Sequence, residues 1–373
     1  MTFTILENAR LFDGVNADCR TGMSVAVEKG VIREVSDKAI TAADAHRIDL
    51  GGRTLMPGLI DLHIHAYASD VNFQRVDAMG SAYRTAHAVR MLGHALDCGF
   101  TTVRDIGGGD WPLWRALEDG LVRGPRFFYA GRVVSMTGGH GDMRPMSLEG
   151  HGHDHGGFCQ CGQANSITVV ADGVDACIAA VREEFRRGAH TIKIMGSGGV
   201  SSPTDPIWMN QYREDEVRAI VNECVERRSY TSAHCHPDSA IRRCVEFGVR
   251  CIEHGTLISD ETAAFIAERG AFVVPTMAII FALRELGPSL GFPPESQEKL
   301  NVVFGEALAG MDRMRNAGVK VGFGTDLLGE TYVRECTEFD IRSEVFTPIE
   351  ILRQATSIGA EVLQMEGKLG CVS

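Results

Sequence analysis

The pattern of apolar and polar positions along the chain changes near Pro57. Before that residue, short segments of alternating apolar and polar positions are separated by turn-forming pairs such as Asp13-Gly14 and Lys29-Gly30. Alternation with a period of two predicts half-buried β-strands, and pairs of this kind are typical of the tight turns between them. The predicted strands lie at Phe3–Leu6, Arg10–Phe12, Ser24–Glu28 and Val31–Val35. We therefore predict a small β-sheet domain over residues 1–56.

From Pro57 onward, short apolar runs alternate with amphipathic stretches that are long enough to form helices. The predicted strands end near His65, Asp105, Val134, Met195, His234, His254, Thr276 and Asp326. Helical stretches lie between them, for example at 82–98, 173–187, 214–228 and 300–317. Eight strands with intervening helices predict an α/β fold of the (β/α)8 TIM barrel type over residues 57–360. A doubly wound sheet is the alternative, and the count of eight and the polar strand ends favour the barrel.

The first strand of this series ends in Asp61-Leu62-His63-Ile64-His65. Because side chains alternate across a strand, Asp61, His63 and His65 share one face. Neutral imidazole is the commonest protein ligand for metals, so two histidines at a strand end can form the first half of a metal site. The alternative is a pair of hydrogen-bonded histidines without a chemical role.

Later strands end in further side chains that suit such a site: Lys193, His234, His254 and Asp326. In a barrel the carboxyl ends of the strands converge on one face, where active sites are built. Lys193 is unusual there, because an ammonium group cannot ligate a metal and is disfavoured beside other cations. Either its ammonium pairs with a carboxylate in the barrel, or CO2 converts it into an anionic carbamate that bridges two metals.

Composition and charge narrow the class of protein. The 373 residues are 44% hydrophobic and 23% charged, which is ordinary for a globular protein. No apolar run approaches the roughly 20 residues that span a bilayer, and the N-terminus lacks the basic start of a signal peptide. Eleven scattered cysteines favour reduced thiols. A net charge of -12 disfavours nucleic acid or an anionic membrane as a partner. We therefore expect a cytoplasmic protein, and composition alone indicates nothing about its substrate.

Six motifs together resemble the amidohydrolase superfamily, above all its imidazolonepropionase-related branch with the metal-dependent prolidases (Xaa-Pro dipeptidases) and Xaa-Arg carboxypeptidases. The motifs are Pro57–His65, Thr101–Asp105, Lys193, Ala233-His234, Ile252–Gly255 and Gly322–Asp326. The resemblance implies two zinc ions bridged by carboxylated Lys193, with His63, His65 and Asp326 on one zinc and His234 and His254 on the other. It also implies that a hydroxide shared by the metals attacks the amide. Asp326 would take up the proton of that hydroxide and pass it to the leaving nitrogen.

The activity predicted in this way is hydrolysis of the amide bond of a dipeptide or N-acyl amino acid with a free carboxylate. The Gly-rich loop Met136–Arg144 follows the third strand, and we expect His140 and Arg144 to hold that carboxylate. In prolidase-like relatives a histidine of this loop contacts the substrate carboxylate, which points to His140 by position. His236 and the backbone of Val200 are expected to add substrate contacts. The alternatives are a cyclic-amide hydrolase resembling imidazolonepropionase and a non-catalytic scaffold that kept the fold.

Two further features of the barrel region allow two interpretations each. Asp105, at the end of the second strand, either orients a metal ligand or caps the backbone that follows it. The segment 150–162 holds three histidines and two cysteines in a Gly-rich stretch. It either binds an extra metal or forms a flexible polar lid beside the active site.

The end of the chain departs from the family pattern. Relatives continue past Gly370 into strands that complete a small β-sandwich with the N-terminal segment, whereas this chain stops at Ser373. We expect residues 361–373 to begin a return to a sandwich that stays incomplete because the chain ends early. Either the sequence is a fragment or the N-terminal sheet has an exposed edge, which favours association. We also expect a homo-oligomer.

Overall fold

The structure is a computed structural model that describes residues 3–144, 167–202 and 204–373. The chain divides into two compact units. One unit contains the chain up to Ile60 together with Thr347–Ser373, and the other contains Asp61–Phe346. The sequence analysis set its boundaries at residues 56 and 360 instead. Within the first unit the backbone N–H of Ile60 donates to the carbonyl of Ala355 at 2.8 Å, which ties the C-terminal helices to that unit.

Strands and helices alternate through most of the part of the chain that the structure describes. The strands are β1 Phe3–Leu11, β2 Arg20–Glu28, β3 Val31–Ser36, β4 His46–Asp49, β5 Thr54–Leu55, β6 Leu59–Ile64, β7 Phe100–Asp105, β8 Arg126–Tyr129, β9 Val133–Ser135, β10 Thr168–Val170, β11 Ile192–Met195, β12 Thr231–Pro237, β13 Cys251–Leu257, β14 Phe272–Val274 and β15 Lys320–Val321. The helices are α1 Phe73–Ala78, α2 Ser81–Asp97, α3 Trp111–Glu118, α4 Val174–Arg186, α5 Glu214–Val225, α6 Asp238–Glu246, α7 Asp260–Arg269, α8 Met277–Leu290, α9 Pro294–Asn316, α10 Thr337–Arg342, α11 Pro348–Gln354 and α12 Ser357–Val362. A 3-10 helix spans Gly329–Arg334. The four helices that the amphipathic pattern predicted are observed as α2, α4, α5 and α9.

The smaller unit contains a five-stranded sheet with the order β3-β2-β1-β4, in which β5 also pairs with β1. β2 runs antiparallel to β1, whereas β4 and β5 run parallel to it. One face of the sheet buries a cluster formed by Ala9, Leu11, Met23, Val25 and Val372. The N–H of Val372 donates to the carbonyl of Asp13 at 3.0 Å, so the last residues pack against this sheet.

The larger unit is an α/β structure built on two sheets. Seven strands follow the order β10-β9-β11-β12-β13-β14-β15 with parallel pairing, and three more follow the order β6-β7-β8. Backbone hydrogen bonds also join β6 to the segment after β15. The N–H of Leu62 donates to the carbonyl of Phe323 at 2.9 Å, and the N–H of Asp326 donates to the carbonyl of His63 at 2.7 Å.

Two predicted strands differ from the observed ones. The predicted third strand, 127–134, is divided into β8 and β9, because the chain turns at Gly131 with φ 74°. The buried carboxylate of Glu184 fills the space beside Gly131 and accepts the N–H of Arg132 at 3.0 Å. The predicted eighth strand, 319–326, is regular only at Lys320–Val321.

Each helix in the described part of the chain is too short or too polar to cross a membrane.

Candidate active site

The predicted site residues converge on one cavity of the larger unit, with a volume of about 870 Å³ including the part that opens to solvent. The predicted residues that line it are His63, His65, His140, Lys193, Val200, His234, His236, His254 and Asp326. Arg144 is the predicted site residue that does not line this cavity. Most of these side chains lie at or just beyond the carboxyl ends of the strands, where the sequence analysis placed them.

His63 and His65, at the end of β6, face the same carboxylate. Their Nε2 atoms lie 3.4 and 3.3 Å from Oδ1 of Asp326. Nδ1 of His63 lies 2.7 Å from Oε2 of Glu253, and Nδ1 of His65 lies 2.9 Å from the carbonyl oxygen of Gly107. Because carboxylate and carbonyl oxygens only accept hydrogen bonds, each Nδ1 carries the proton. In the neutral rings both Nε2 lone pairs therefore face the Asp326 carboxylate, and this arrangement requires a cation.

The protonation of the two rings shows which cations would suit the site. Burial lowers the pKa of His63 to about 4, so its ring is neutral near pH 7. Burial also lowers the pKa of His65, but the hydrogen bond and charge of Asp326 outweigh it, and the net effect is a raised pKa. A proton on His65 satisfies one ring only, whereas a metal ion satisfies both imidazoles and the carboxylate at once. The residues present therefore fit a metal.

Glu253 fixes the ring of His63, a role that the sequence analysis missed. Its fully buried carboxylate accepts hydrogen bonds from Nη2 of Arg104 at 2.7 Å and from the hydroxyl of Ser232. Burial raises the pKa of Glu253, but Arg104 and His63 outweigh it and hold the pKa well below its ordinary range. A carboxylate partner of this kind fixes the tautomer of a metal-binding histidine and raises its basicity. The available signal was a glutamate directly before His254.

His254 and Asp326 both adopt the left-handed backbone conformation, with φ of 70° and 56°. Such conformations cost about 1–3 kcal/mol each for residues other than glycine and cluster at functional sites. At His254 this conformation interrupts the side-chain alternation of β13. As a result the imidazole of His254 and the carboxylate of Glu253 both lie next to His63, although the two residues are neighbours in sequence.

His234 and His254 extend the cluster of imidazoles. Their ring centroids are 4.5 Å apart, and the His254 centroid lies 5.0 Å from that of His63. One ligand atom from each of His63, His254 and Asp326 lies within 4.8 Å of the others. His254 is therefore close enough to bind the same metal ion as His63 on β6. Nε2 of His234 is buried and has no hydrogen-bond partner among the described residues. Burial lowers the pKa of His234 and His254 well below the ordinary value, which keeps both rings in the metal-ligating neutral form.

Lys193, on β11, lines the same cavity and is 2% exposed. Within the described ranges its amine forms no hydrogen bond or ion pair, so the predicted alternative of a lysine paired with a carboxylate is not observed there. Burial lowers the pKa of this amine, although the nearby charges of Glu253 and Asp326 oppose the shift. A lowered pKa increases the fraction of neutral amine, which is the form that reacts with CO2.

His140 reaches the cavity from the loop after β9. Its Nδ1 contacts the hydroxyl of Ser202 and lies 3.0 Å from Oδ2 of Asp205. The imidazole stacks on that of His234, with centroids 4.2 Å apart. A Cβ atom at Gly199 would overlap the His140 ring, so a residue without a side chain is required there. These contacts hold the His140 ring in one orientation beside His234.

Arg144 lies outside the cavity and forms a local ion pair. Its Nε and Nη2 donate to the two carboxylate oxygens of Asp142 at 2.7 and 2.6 Å. Asp142 also accepts the N–H of Gly138 at 2.9 Å. The guanidinium is therefore engaged in holding the loop together. Of the two residues predicted to bind a substrate carboxylate, the structure brings only His140 to the cavity.

His236 and Val200 line the cavity as well. Nδ1 of His236 lies 2.6 Å from Oγ1 of Thr256, and its ring centroid lies 4.8 Å from that of His234. Burial lowers the pKa of His236 to about 3, so the ring is neutral near pH 7. It can therefore offer a substrate a hydrogen bond but no charge.

Asp105 combines features of its two predicted roles. Its carboxylate accepts the backbone N–H groups of Ala66, Gly107 and Gly109 at 2.7, 3.0 and 2.9 Å. Asp105 therefore caps backbone N–H groups, as one interpretation predicted. Two of the residues that it caps are tied to His65: Ala66 directly follows it, and the carbonyl of Gly107 contacts its ring. Asp105 therefore positions this histidine through the main chain rather than through its imidazole.

The rest of the cavity wall is largely apolar. Its apolar lining residues are Phe73, Val133, Met143, Ile167, Met195, Ile279, Ile280, Leu283, Leu300, Val303 and Leu328. Many of them lie on α8 and α9. A cavity with a polar floor and apolar walls suits a ligand that has one polar end and one apolar side chain. The segment 150–162, predicted as a metal-binding stretch or a lid, lies outside the described residues.

Known proteins resemble this chain over most of its length. A family model described as the amidohydrolase family matches residues 54–373. Ochratoxinase from Aspergillus niger is 30% identical over 325 residues, which are 84% of this chain and 65% of the ochratoxinase, so the chain spans about two thirds of that relative. A crystal structure of an amidohydrolase has a TM-score of 0.95 and 47% identity, covering 99% of this chain and 89% of the other. A prolidase crystallised with N-methylphosphonate-L-proline has a TM-score of 0.95 and 42% identity, covering 100% and 90%.

Proposed function

The chain belongs to the amidohydrolase family, and we propose that it is a binuclear zinc hydrolase that cleaves the amide bond of a dipeptide or N-acyl amino acid. The main observation in support is that two Nε2 lone pairs and the Asp326 carboxylate face one another in a cavity that also holds His234 and His254. The similar prolidase structure, which holds a proline-containing ligand, supports a substrate with a free carboxylate.

We further infer that the strands of the larger unit close into a (β/α)8 barrel. The hydrogen bonds from Leu62 to Phe323 and from Asp326 to His63 support closure, because they join the first strand of this unit to the segment after its last strand. A closed barrel would place the carboxyl ends of all eight strands around one site. The completion of the small sheet to a β-sandwich, the homo-oligomer and the cytoplasmic location stay predictions.

In this proposal one zinc is held by His63, His65 and Asp326 and the other by His234 and His254, with Lys193 between them. Bound zinc would polarise the scissile carbonyl and activate a water molecule. Glu253 and the carbonyl of Gly107 hold the two β6 imidazoles in the tautomer that presents Nε2. Burial of these side chains reduces screening by solvent and strengthens each of these electrostatic interactions.

Lys193 is proposed to be carboxylated. A bare ammonium next to two metal ions would raise the electrostatic energy of the site, and its burial without a partner in the described residues supports a modified side chain. The carbamate forms when the neutral amine attacks CO2 and loses one proton, which yields an anionic group with two oxygens. One oxygen is then available for each metal.

Asp326 is proposed to transfer the proton from the attacking water to the leaving nitrogen. Burial raises the pKa of its carboxyl, but His63, His65 and Lys193 outweigh this effect, and the pKa is lowered. The carboxylate is therefore ionised and able to accept a proton near pH 7. Its left-handed backbone and the hydrogen bond of its N–H to His63 fix its position relative to β6.

The substrate carboxylate is proposed to bind at His140. Replacing the free carboxylate of the substrate by a primary amide should lower kcat/KM. The loss should correspond to about 1.5–3 kcal/mol of transition-state stabilisation, the usual value of a charge-assisted hydrogen bond. His140→Ala should lower kcat/KM for the free acid by a similar amount and for the amide much less, because both changes remove one interaction. Steady-state kinetics of the two enzymes on the two substrates measures this coupling.

Equal losses on both substrates would show that His140 serves the metal site or the fold instead. Arg144→Ala tests the other residue that the sequence predicted as a carboxylate contact. Because Asp142 already holds the Arg144 guanidinium, we expect Arg144→Ala to show less coupling to the substrate carboxylate than His140→Ala does. A coupling as large as that of His140→Ala would show that Arg144 does contact the substrate carboxylate.

A substrate screen separates the proposal from its alternatives. We expect the zinc-loaded enzyme to hydrolyse dipeptides whose N-terminal residue is apolar, because Ile279, Ile280 and Leu283 form part of the cavity wall. Turnover of a lactam ring without turnover of any dipeptide would favour the cyclic-amide hydrolase. Protein that binds no zinc-type metal, measured by elemental analysis, and turns over neither substrate would favour the non-catalytic scaffold.

A further inference from the structure

A second cluster of metal-ligating side chains lies outside the cavity, at the end of α2. His94 and Cys98 are one helical turn apart, and Nε2 of His94 lies 3.4 Å from Sγ of Cys98. A carboxylate oxygen of Glu335, which follows the 3-10 helix, completes a group of three ligand atoms within 4.8 Å of one another. None of these three residues lines the cavity of the candidate active site.

Cys336 lies beside Cys98 at the edge of this group. Burial raises the pKa of the Cys98 thiol to about 12, and the adjacent side chains of Cys336 and Glu335 raise it further. Cys336 directly follows Glu335 in the sequence, and it is exposed. His94, Cys98 and Glu335 therefore form the close group on the larger unit, and Cys336, which interacts with Cys98, is the nearest candidate for a fourth ligand.

The carboxyl group of Glu335 is buried at this place with one oxygen left without a partner among the described residues. Glu335 is 5% exposed, and the oxygen without a hydrogen-bond partner in the described part of the chain is Oε1. Burial raises the pKa of this carboxyl well above its ordinary value, and the nearby Asp61 raises it further. A buried acceptor left without a partner costs about 1–3 kcal/mol. A cation among these four side chains would remove that cost.

We propose that His94, Cys98, Glu335 and Cys336 bind a single zinc-type ion. A tetrahedral zinc with bonds of about 2.0–2.3 Å places its ligand atoms roughly 3.3–3.8 Å apart, which matches the distance from His94 to Cys98. Thiolate and imidazole ligands select zinc over magnesium or calcium, which prefer sites made of oxygen atoms alone. Binding releases the two thiol protons and the carboxyl proton of Glu335 to solvent, and it involves no change of oxidation state.

Four protein ligands leave no open position on a tetrahedral ion, so the role of this site is structural rather than catalytic. The ion would join the C-terminal end of α2 to the chain segment that follows Asp326 and the 3-10 helix. Both elements belong to the larger unit. This proposal does not depend on the proposed hydrolase activity, because it uses none of the residues that line the cavity.

Cobalt substitution tests the site, because only thiolate ligands give cobalt(II) an intense near-ultraviolet charge-transfer band. The proposed active site contains no cysteine, so this band does not arise from the active-site metals, and the cysteines of the segment 150–162 are tested by a separate variant. We expect the cobalt-loaded full chain, kept reduced, to show the band and to lose it in Cys98→Ser and in Cys336→Ser. Lys193→Ala should keep it, as should the matched control Cys159→Ser/Cys161→Ser, which removes the two cysteines of the segment 150–162.

Three results would overturn the proposal. They are a wild-type protein without the band, a band that survives Cys98→Ser, and a Cys98–Cys336 disulfide detected by mass spectrometry in protein purified without added oxidant. Thiol titration of the wild-type protein covers the case in which a serine variant fails to fold. Zinc added to the metal-free protein should protect two thiols from a thiol reagent, and absence of protection would also contradict the site.

Discussion

Lys193→Ala is expected to lose most of its bound metal and most of its turnover. The substitution removes the proposed anionic bridge and leaves two cationic metals next to each other without a shared ligand, which raises the electrostatic energy of the loaded site. Elemental analysis of the purified variant, together with kcat/KM on a dipeptide substrate, measures both effects. Acetate or propionate should restore part of the metal content and activity, since a small carboxylate can occupy the space of the carbamate.

The neutral amides of the same acids provide the matched control for this rescue. Acetamide and propionamide have nearly the same size but no charge, so we expect them to restore neither metal nor activity. A variant that keeps both metals and turns over normally would show that Lys193 is not a bridge. Rescue by the amides as well as by the acids would show that Lys193 fills space rather than binding metal.

Asp326→Asn is expected to lower kcat by about two to four orders of magnitude, the usual contribution of general acid–base catalysis. Asparagine preserves the size of the side chain and tolerates the left-handed backbone that position 326 requires, so the fold should be retained. It cannot accept a proton as a carboxylate does. The histidine-bound metals should remain, with one metal bound more weakly at most.

Steady-state kinetics and metal analysis on the same preparation separate the proton-transfer role from a ligand role. A loss confined to KM would mean that the proton is transferred by another group. Loss of both metals along with the activity would mean that Asp326 acts mainly as a ligand. Circular dichroism provides the folding control for this variant.

The α/β class, and the candidate residues that the structure brings to one cavity, could be predicted from the sequence because their signals are local. The amphipathic period of α2, α4, α5 and α9 is contained within each helix. The donors at His63, Lys193 and His234 each stand in or directly after a short apolar run, so the end of a strand could be recognised without knowledge of its neighbours. The division of the third strand at Gly131 was not predicted, and the N–H that follows this turn pairs with Glu184 on α4, a contact that no local pattern indicates.

The hydrogen-bond partners of these residues could not be predicted, because they come from distant parts of the chain. Glu253 contacts His63 across 190 positions, and Asp205 contacts His140 across 65 positions. No local pattern indicates which side chain will lie opposite another after folding. The prediction for Arg144 failed to anticipate its partner for the same reason. Its residue type suggested a contact with the substrate, whereas in the structure its guanidinium donates to the carboxylate of Asp142.

The sequence by itself determined which residues lie at the strand ends and that their chemistry suits a metal site, because residue type and side-chain alternation are properties of short segments. Only the tertiary structure decided how those residues face one another. His254 shows the reason most clearly, since its left-handed backbone overrides alternation and places its ring beside His63 together with Glu253. Such a conformation costs free energy locally and persists only because the surrounding contacts enforce it.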